Sequence, residues 1–293
     1  MKIKAYAKIN LSLDIIGRRD DGYHEMEMIM QSISLHDELD IGLDDTGDVS
    51  ISSDSPYTPC DDRNICYKAA QLFRERYDIQ KGVHIDIRKK IPVSAGLAGG
   101  STDAAATLLA LRKLCKIWVS DHELEQMSTS LGADVPFCIS GGMKLCTGIG
   151  EVLERVSLHD ASKIYIALIM PRGYVSTKDA YMSYDALEAK TIVHPDTKKL
   201  VDGLSRRDII STCKAYAGNV LEYARNPMSD RIDEIKSLLV KHGAGYASMS
   251  GSGPSVYGLF RDYYSARKFV NIFKAKYILP KERIYSAYFM KGR

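Results

Sequence analysis

The chain has 293 residues, with 40 basic and 37 acidic side chains mixed along its length and a formal net charge of +3. Such mixing argues against a nucleic-acid-binding protein, which concentrates Lys and Arg on one surface. The first ten residues carry three lysines where a signal peptide needs an apolar core, and no later stretch is long and apolar enough to span a bilayer. We therefore expect a cytoplasmic protein of one large domain or two closely joined ones.

The N-terminal half predicts a sheet with interspersed helices. Residues 1–14 alternate between apolar and polar side chains, which predicts a half-buried strand with Lys8 and Asn10 on its polar face. Turn residues at 17–22 and a renewed alternation from Met26 predict that this strand enters a β-hairpin. The further predicted elements are a hairpin with a loop at 44–62, a helix at 64–76, a strand at 83–87 and a helix at 102–115.

Two local features have simple structural expectations. The basic run at residues 88–90 is expected to be the solvated end of a strand. Six cysteines show no Cys-x-x-Cys spacing and no nearby histidine pair at zinc spacing, so free thiols are expected instead of disulfides or a structural metal site.

A second region is predicted to begin near residue 162. It alternates strands and helices, and this succession is typical of a split βαβ arrangement. The predicted strands are 165–170, 283–289 and the two arms of 247–260, and the predicted helices are 177–190, 206–225, 231–242 and 264–276.

The stretch PVSAGLAGGSTD at residues 92–103 lies between a predicted strand and a predicted helix. Glycines at the start of a helix let a ligand approach unpaired N–H groups and the positive end of the helix dipole, which indicates an anion site. A tight turn explains the glycines equally well, with Ser101, Thr102 and Asp103 as helix caps. The run lacks the Gly-x-x-x-x-Gly-Lys and Gly-x-Gly-x-x-Gly patterns and the protein-kinase signatures, so a nucleotide site here belongs to another class.

This run resembles the phosphate loop of the kinase superfamily named for galactokinase, homoserine kinase, mevalonate kinase and phosphomevalonate kinase. The shared pattern is Pro, three variable residues, Gly-Leu-Gly/Ala, then small and hydroxyl residues that lead into an Ala-rich helix. The resemblance implies an α+β fold with a ribosomal protein S5-like N-terminal domain (1–160), a ferredoxin-like C-terminal domain (161–293) and a site in the cleft between them.

Further segments are similar to one branch of that superfamily. They are AKINL at 7–11, RDDGYH at 19–24, LGADVP at 131–136 and SMSGSG at 248–253. This branch uses ATP to phosphorylate the 2-hydroxyl of 4-diphosphocytidyl-2-C-methyl-D-erythritol, a step of the non-mevalonate route to isoprenoid precursors. The resemblance implies the same small-molecule substrate here and ATP as its Mg²⁺ complex, although no Asp/Glu cluster indicates dedicated Mg²⁺ ligands.

The resemblance also assigns site residues. It implies that Lys8 and Asp134 are catalytic. The implied substrate-binding residues are Asn10, Tyr23, His24, Tyr181, Gly251, Ser252 and Gly253. The implied ATP-binding residues are Pro92, Val93, Ser94, Ala95, Gly96, Leu97, Ala98, Gly99, Gly100, Ser101 and Thr102. Ala98 and Thr102 depart from the usual Gly and Ser, which leaves the individual phosphate contacts open.

Each of these residues also has a structural interpretation. Without the resemblance, Lys8 is a solvated strand residue and Asp134 a helix cap or turn residue. Asp134 could be a general base or could orient the hydroxyl. Tyr184 is a rival to Tyr181 for stacking on the cytosine, and a plain hairpin turn would account for the glycines at 251–253.

Two other functions compete with the one implied. One is a homoserine or mevalonate kinase of the same superfamily, against which the Gly-Tyr-His stretch argues. The other is a non-catalytic binding protein of the same fold, against which the retention of Lys8 and Asp134 argues. The sequence does not indicate the oligomeric state.

Overall fold

Two β-sheets organise the chain, and the computed structural model describes residues 1–158 and 164–293. The predicted domain boundary between residues 160 and 161 lies outside the described residues. The first sheet consists of β1 (Lys2–Arg18), β2 (His24–Asp44), β3 (Val49–Ser53), β4 (Gly82–Arg88), β5 (Met143–Gly148) and β6 (Val152–Arg155). Its order is β3-β4-β2-β5-β6, with β1 paired to β2. The helices of this part are α1 (Ile65–Arg76), α2 (Gly99–Leu114), α3 (Asp121–Ser128) and α4 (Val135–Ser140).

The predicted hairpin of β1 and β2 is confirmed, but β1 is not half-buried. The strands pair antiparallel, with Asn10 opposite Met30. From Ala7 to Ile15 both faces of β1 are buried. The alternation describes the strand correctly, yet the polar face is covered because parts of the second sheet and its connections pack against it. One such contact is the Tyr257 hydroxyl, which donates to the carbonyl of Asn10 at 2.8 Å.

The hairpin predicted within residues 44–62 is wrong. β3 pairs with β4 and runs parallel to it, with Val49 opposite Val83. The reason lies in the connection: α1 crosses over between the two strands, and such a crossover brings the chain back in the same direction.

The predicted start of the helix after the glycine run is also wrong. α2 begins at Gly99, and its N-cap is Ala98, which has a φ of +56° and makes no side-chain cap hydrogen bond. Ser101, Thr102 and Asp103 therefore lie inside the helix. The Thr102 hydroxyl instead donates to the carbonyl of Tyr6 at 2.7 Å and ties α2 to β1.

The basic run that ends β4 is not solvated throughout. Arg88 is exposed, whereas the ammonium of Lys89 is buried between the carboxylates of Asp37 and Asp103. An isolated buried ammonium is costly, and these two partners, distant in sequence, make its burial possible.

The second sheet contains β7 (Tyr165–Met170), β8 (Tyr246–Met249), β9 (Val256–Phe260) and β10 (Arg283–Tyr288). Its order is β10-β7-β9-β8 and every pair is antiparallel. The predicted split βαβ arrangement is confirmed, since numbering these strands in chain order gives 4-1-3-2. The accompanying helices are α5 (Thr177–Asp185), α6 (Thr197–Arg206), α7 (Ile209–Tyr216), α8 (Ser229–Lys241) and α9 (Tyr263–Lys276).

Two helices of this region differ from the prediction. The helix predicted at 177–190 ends at Asp185, and α6 was not predicted. The helix predicted at 206–225 is α7 followed by a 3₁₀ turn at Val220–Tyr223. α7 starts afresh because Asp208 caps it, and it ends before Gly218, whose carbonyl accepts a hydrogen bond from Leu13 of β1 at 2.8 Å.

Packing joins the two sheets through β1. Ile9 and Leu11 belong to the same buried cluster as Ile166, Leu168 and Leu259 of the second sheet. This placement carries the polar residues of β1 into the junction. The six cysteines are unpaired thiols, and among the described residues no helix has the length and apolar character required to cross a bilayer.

Candidate functional site

A cleft of about 490 Å³ lies where β1, the loop before α2, the start of α4 and the 251–253 turn meet. The structure brings most of the predicted site residues to its walls. Those lining the cleft are Lys8, Asn10, Ser94, Ala95, Gly96, Ala98, Gly99, Gly100, Ser101, Asp134, Tyr181, Gly251, Ser252 and Gly253.

The remaining predicted residues lie elsewhere. Pro92 and Val93 line an adjoining groove that shares Ser94 with the cleft. Leu97 and Thr102 are buried beneath the loop. Tyr23 and His24 are not among the residues that line the cleft, and Tyr23 is exposed.

The glycine loop is held from both sides. The Lys8 amide donates to the carbonyl of Leu97 at 3.2 Å, and the Ser250 hydroxyl donates to the carbonyl of Gly96 at 2.9 Å. Gly96 has a φ of +72°, and a Cβ there would lie 2.1 Å from the carbonyl oxygen of Ser250. Only glycine fits this close approach between the loop and the 250–253 segment.

The start of α2 offers unpaired backbone donors to the cleft. The first helix-type bond runs from the Thr102 amide to the carbonyl of Ala98, and no side chain caps the helix. The amides of Gly99, Gly100 and Ser101 precede that bond, so they lack intrahelical acceptors. All three residues line the cleft at the positive end of a 16-residue helix. This arrangement suits an anion such as a phosphate.

Lys8 and Asp134 form an ion pair in the same cleft. The Nζ of Lys8 lies 3.6 Å from Oδ2 of Asp134 and donates to Oδ1 of Asn10 at 2.8 Å. The Lys8 side chain is 5% exposed, so its interpretation as a solvated strand residue is wrong. Two oxygen atoms thus hold the ammonium in one position, away from solvent.

The carboxylate of Asp134 remains accessible from the cleft. Asp134 occupies the N-cap position of α4, yet its side chain accepts no cap hydrogen bond, so the interpretation as a side-chain helix cap is wrong. The side chain is 32% exposed, and Lys8 is its ion-pair partner among the described residues. A carboxylate in this position is free to accept a proton from a bound hydroxyl.

The turn at 251–253 is positioned by residues that the sequence analysis missed. The Asn219 side-chain amide donates to the carbonyls of Met249 at 3.0 Å and Gly251 at 2.8 Å. Thr177 meets Ser252 hydroxyl to hydroxyl at 3.0 Å. The signal that could have indicated Asn219 is its position after Gly218, where the helical pattern breaks.

An aromatic and acidic group borders the cleft. The imidazole of His24 stacks on Tyr181, with ring centroids 5.0 Å apart, and its Nε2 lies 2.7 Å from Oδ1 of Asp185. Burial, with a smaller effect of the Asp134 charge, raises the pKa of the Tyr181 phenol. Tyr184 does not line the cleft, and Asp185 is a further residue that the sequence analysis missed.

The cleft offers few protein ligands to a metal ion. Among the described residues there is no group of three or more His, Cys, Asp or Glu side chains that could hold one. Asp134 is the carboxylate on the cleft wall, beside hydroxyls such as that of Ser101. One carboxylate together with phosphate oxygens is a common environment for Mg²⁺, which keeps several waters and rarely uses a cage made only of protein.

Comparison with known proteins gives matches along most of the chain. Residues 64–142 match the GHMP kinases N terminal domain, and residues 200–279 match the GHMP kinases C terminal family. Two curated relatives are 4-diphosphocytidyl-2-C-methyl-D-erythritol kinases. The one from Clostridium novyi (strain NT) is 46% identical over 277 residues, which is 94% of this chain and 97% of the relative. The one from Clostridium tetani (strain Massachusetts / E88) is 43% identical with the same coverage.

Solved structures agree with this relationship. A crystal structure of 4-(cytidine 5′-diphospho)-2C-methyl-D-erythritol kinase superposes with a TM-score of 0.80, at 28% identity and with full coverage of both chains. Homoserine kinase from Cytophaga hutchinsonii has a TM-score of 0.76 at 22% identity, covering 99% of this chain and 95% of its own. The predicted α+β class with an S5-like and a ferredoxin-like part is confirmed.

The close approach at Gly96 leads to a prediction. Gly96→Ala should lower the free energy of unfolding by about 1–3 kcal/mol more than Gly47→Ala, because only at residue 96 would the new methyl group overlap backbone atoms. Gly47 is a matched control, since its φ is +77° and its nearest neighbouring atom would be 3.9 Å from a Cβ. Urea unfolding measures both values, and equal losses would show that the loop does not rest on Ser250.

Proposed function

The chain belongs to the 4-diphosphocytidyl-2-C-methyl-D-erythritol kinases of the GHMP superfamily, and from that premise we propose that Lys8 and Asp134 carry its reaction. An enzyme of this family phosphorylates the 2-hydroxyl of its substrate with ATP, a step of the non-mevalonate isoprenoid pathway. The observation that supports the assignment is the Lys8–Asp134 ion pair, in a cleft that the start of α2 also lines.

Asp134 acts on the acceptor hydroxyl. A tertiary alcohol is a weak nucleophile, and the accessible carboxylate takes up its proton as the oxygen attacks. The new bond joins the 2-oxygen to the γ-phosphorus, and the bond that breaks joins that phosphorus to the β–γ bridging oxygen of ADP. Because the transition state of phosphoryl transfer is loose, Asp134 also contributes by placing the hydroxyl in line with the γ-phosphorus.

Lys8 holds the geometry and balances charge. Its ammonium is fixed by Asn10 at 2.8 Å and pairs with Asp134, so it keeps the carboxylate aimed into the cleft. The same positive charge lies next to the place where the transferred phosphoryl group must meet the hydroxyl. A charge fixed in advance stabilises the transition state without reorganising.

The backbone binds the phosphates of ATP. The amides of Gly99, Gly100 and Ser101 lie on the cleft wall at the positive end of α2, where a polyphosphate is favoured. Mg²⁺ would be held chiefly by the phosphates of ATP and by the Ser101 hydroxyl on the same wall. When bound, it neutralises charge on the β- and γ-phosphates.

The cytidine diphosphate end of the substrate extends toward the aromatic group beside the cleft. Tyr181 lines the cleft and stacks with His24, and Tyr23 stands exposed next to it. Flat aromatic faces bind a pyrimidine by stacking, and the imidazole can hydrogen-bond its edge. The turn at Gly251, Ser252 and Gly253 forms part of the cleft wall. It belongs to the second of the two proposed domains, 1–160 and 161–293.

We place the enzyme in the cytoplasm and assign it no nucleic-acid partner. Six unpaired thiols suit a reducing compartment. The near balance of 40 basic and 37 acidic residues gives no strong field for a polyanion.

Replacement of Asp134 tests its role. Asp134→Asn should lower kcat by about 10²–10⁴-fold, because the amide cannot accept the proton, while the affinity for ATP stays nearly unchanged. Asp262→Asn is the control, since Asp262 is also an N-cap aspartate, but of α9 and outside the cleft. A coupled ADP-release assay measures kcat, and turnover of Asp134→Asn near that of the control would remove Asp134 from the mechanism.

A panel of acceptors tests the function itself. Purified protein with ATP and Mg²⁺ should phosphorylate 4-diphosphocytidyl-2-C-methyl-D-erythritol and neither homoserine nor mevalonate, because only the first presents a base to the Tyr181–His24 group. Phosphorylation of homoserine or mevalonate alone would indicate another kinase of the superfamily. If none of the three acceptors supports ATP turnover, the protein is non-catalytic.

A further inference from the structure

Three charged side chains are buried directly beneath the glycine loop and do not line the cleft. The side chains of Asp37, Lys89 and Asp103 are 0%, 7% and 4% exposed, respectively. They come from β2, from the residue after β4 and from the second turn of α2. The group therefore joins the two ends of the loop that runs from residue 89 to residue 98.

Asp37 holds the entry to the loop. Its Oδ1 accepts hydrogen bonds from the backbone N–H groups of Lys90 and Ile91, the latter at 2.8 Å. Its Oδ2 meets the ammonium of Lys89. One carboxylate thus fixes three successive residues at the point where the chain leaves β4.

Lys89 carries this connection across to α2. Its Nζ donates to Oδ2 of Asp103 at 2.7 Å, and it would lie 3.5 Å from a Cβ built on Gly99, the first residue of the helix. The ammonium therefore lies close to the first residue of the helix. A shift of Lys89 would move the start of α2 relative to β4.

Asp103 holds Lys89 through a single oxygen. Its Oδ1 is buried and has no hydrogen-bond partner among the described residues, so Oδ2 makes the whole contact. The amide oxygen of an asparagine has the same position and can supply this single acceptor, while Asp37 still balances the charge of Lys89.

We propose that Asp37, Lys89 and Asp103 form a positioning cluster that sets the distance between β4 and the start of α2, and so fixes the loop amides for the phosphates of ATP. The inference rests on the proposed function for the identity of the ligand. The cluster touches no reacting atom; it acts through Gly99 and the residues that follow.

Asp103→Ala should weaken binding of a nonhydrolysable ATP analogue by about tenfold, because it releases α2 from Lys89 while Asp37 stays paired. KM for the diphosphocytidyl substrate should stay within about twofold, since its binding residues do not contact the cluster. Asp103→Asn should keep analogue affinity within about threefold of wild type, because its amide oxygen still accepts a hydrogen bond from Lys89. Isothermal titration calorimetry measures the analogue affinity.

The control is another buried ion pair of the same kind. Glu282, with a side chain 1% exposed, pairs with Arg231 at 2.7 Å, and neither lines the cleft. Glu282→Ala should lower stability, as Asp103→Ala does, and leave analogue affinity unchanged. If Asp103→Ala weakens the affinity no more than Glu282→Ala, the cluster is only structural and the inference is overturned.

Two further outcomes keep the test decisive. If Asp103→Ala does not fold, Asp103→Ser is measured in its place. The serine side chain is too short to reach Lys89. Wild-type affinity for the analogue in Asp103→Ser would overturn the inference. Analogue binding requires no acceptor, so it is read separately from turnover. A wild-type protein that binds the analogue but phosphorylates no acceptor contradicts the proposed function, and a loss of affinity in Asp103→Ala still supports the cluster.

Discussion

The buried polar face of β1 is the constraint on which the rest of the structure depends. An unpaired buried polar group costs about 1–3 kcal/mol, so each side chain on this face must find a partner. The side chains that need partners are those of Lys8, Asn10, Ser12 and Asp14. Asp134 meets Lys8, the Lys8 ammonium and the Met28 sulfur meet the Asn10 side chain, the Gly218 carbonyl meets Ser12, and His194 meets Asp14. Satisfying one strand therefore brings distant parts of the chain together around β1.

Backbone groups and side chains have different proposed roles in the cleft. In the proposed mechanism, backbone amides at the start of α2 bind the phosphates, and their positions depend on the loop, on Gly96 and on the contacts beneath it. The proposed reacting end consists of two charged side chains, Lys8 and Asp134, whose positions depend on β1 and α4. Because different elements hold the two halves, a substitution in one should alter ATP binding and a substitution in the other should alter the chemical step.

The sequence predicted the local features of this arrangement better than the distant ones. Period-two alternation placed Lys8 and Asn10 on one face, and the structure joins them at 2.8 Å. The alternation could not indicate that this face is covered, since the covering groups are up to 247 residues away. Lys89 was misread for the same reason: within its own basic run it resembles a solvated residue, and its partners, Asp37 and Asp103, are 52 and 14 residues distant. Pairings between remote segments leave little trace in a local pattern.

The central claim is that Lys8 and Asp134 act as one unit in phosphoryl transfer. A double-mutant cycle of Lys8→Met and Asp134→Asn, measured as single-turnover rates with saturating ATP and diphosphocytidyl substrate, tests it most directly. If the two groups act together, the double variant should react within about threefold of the slower single variant, because removing either already disables the pair. Multiplication of the two single effects would contradict the account, since it would show that the two side chains act independently.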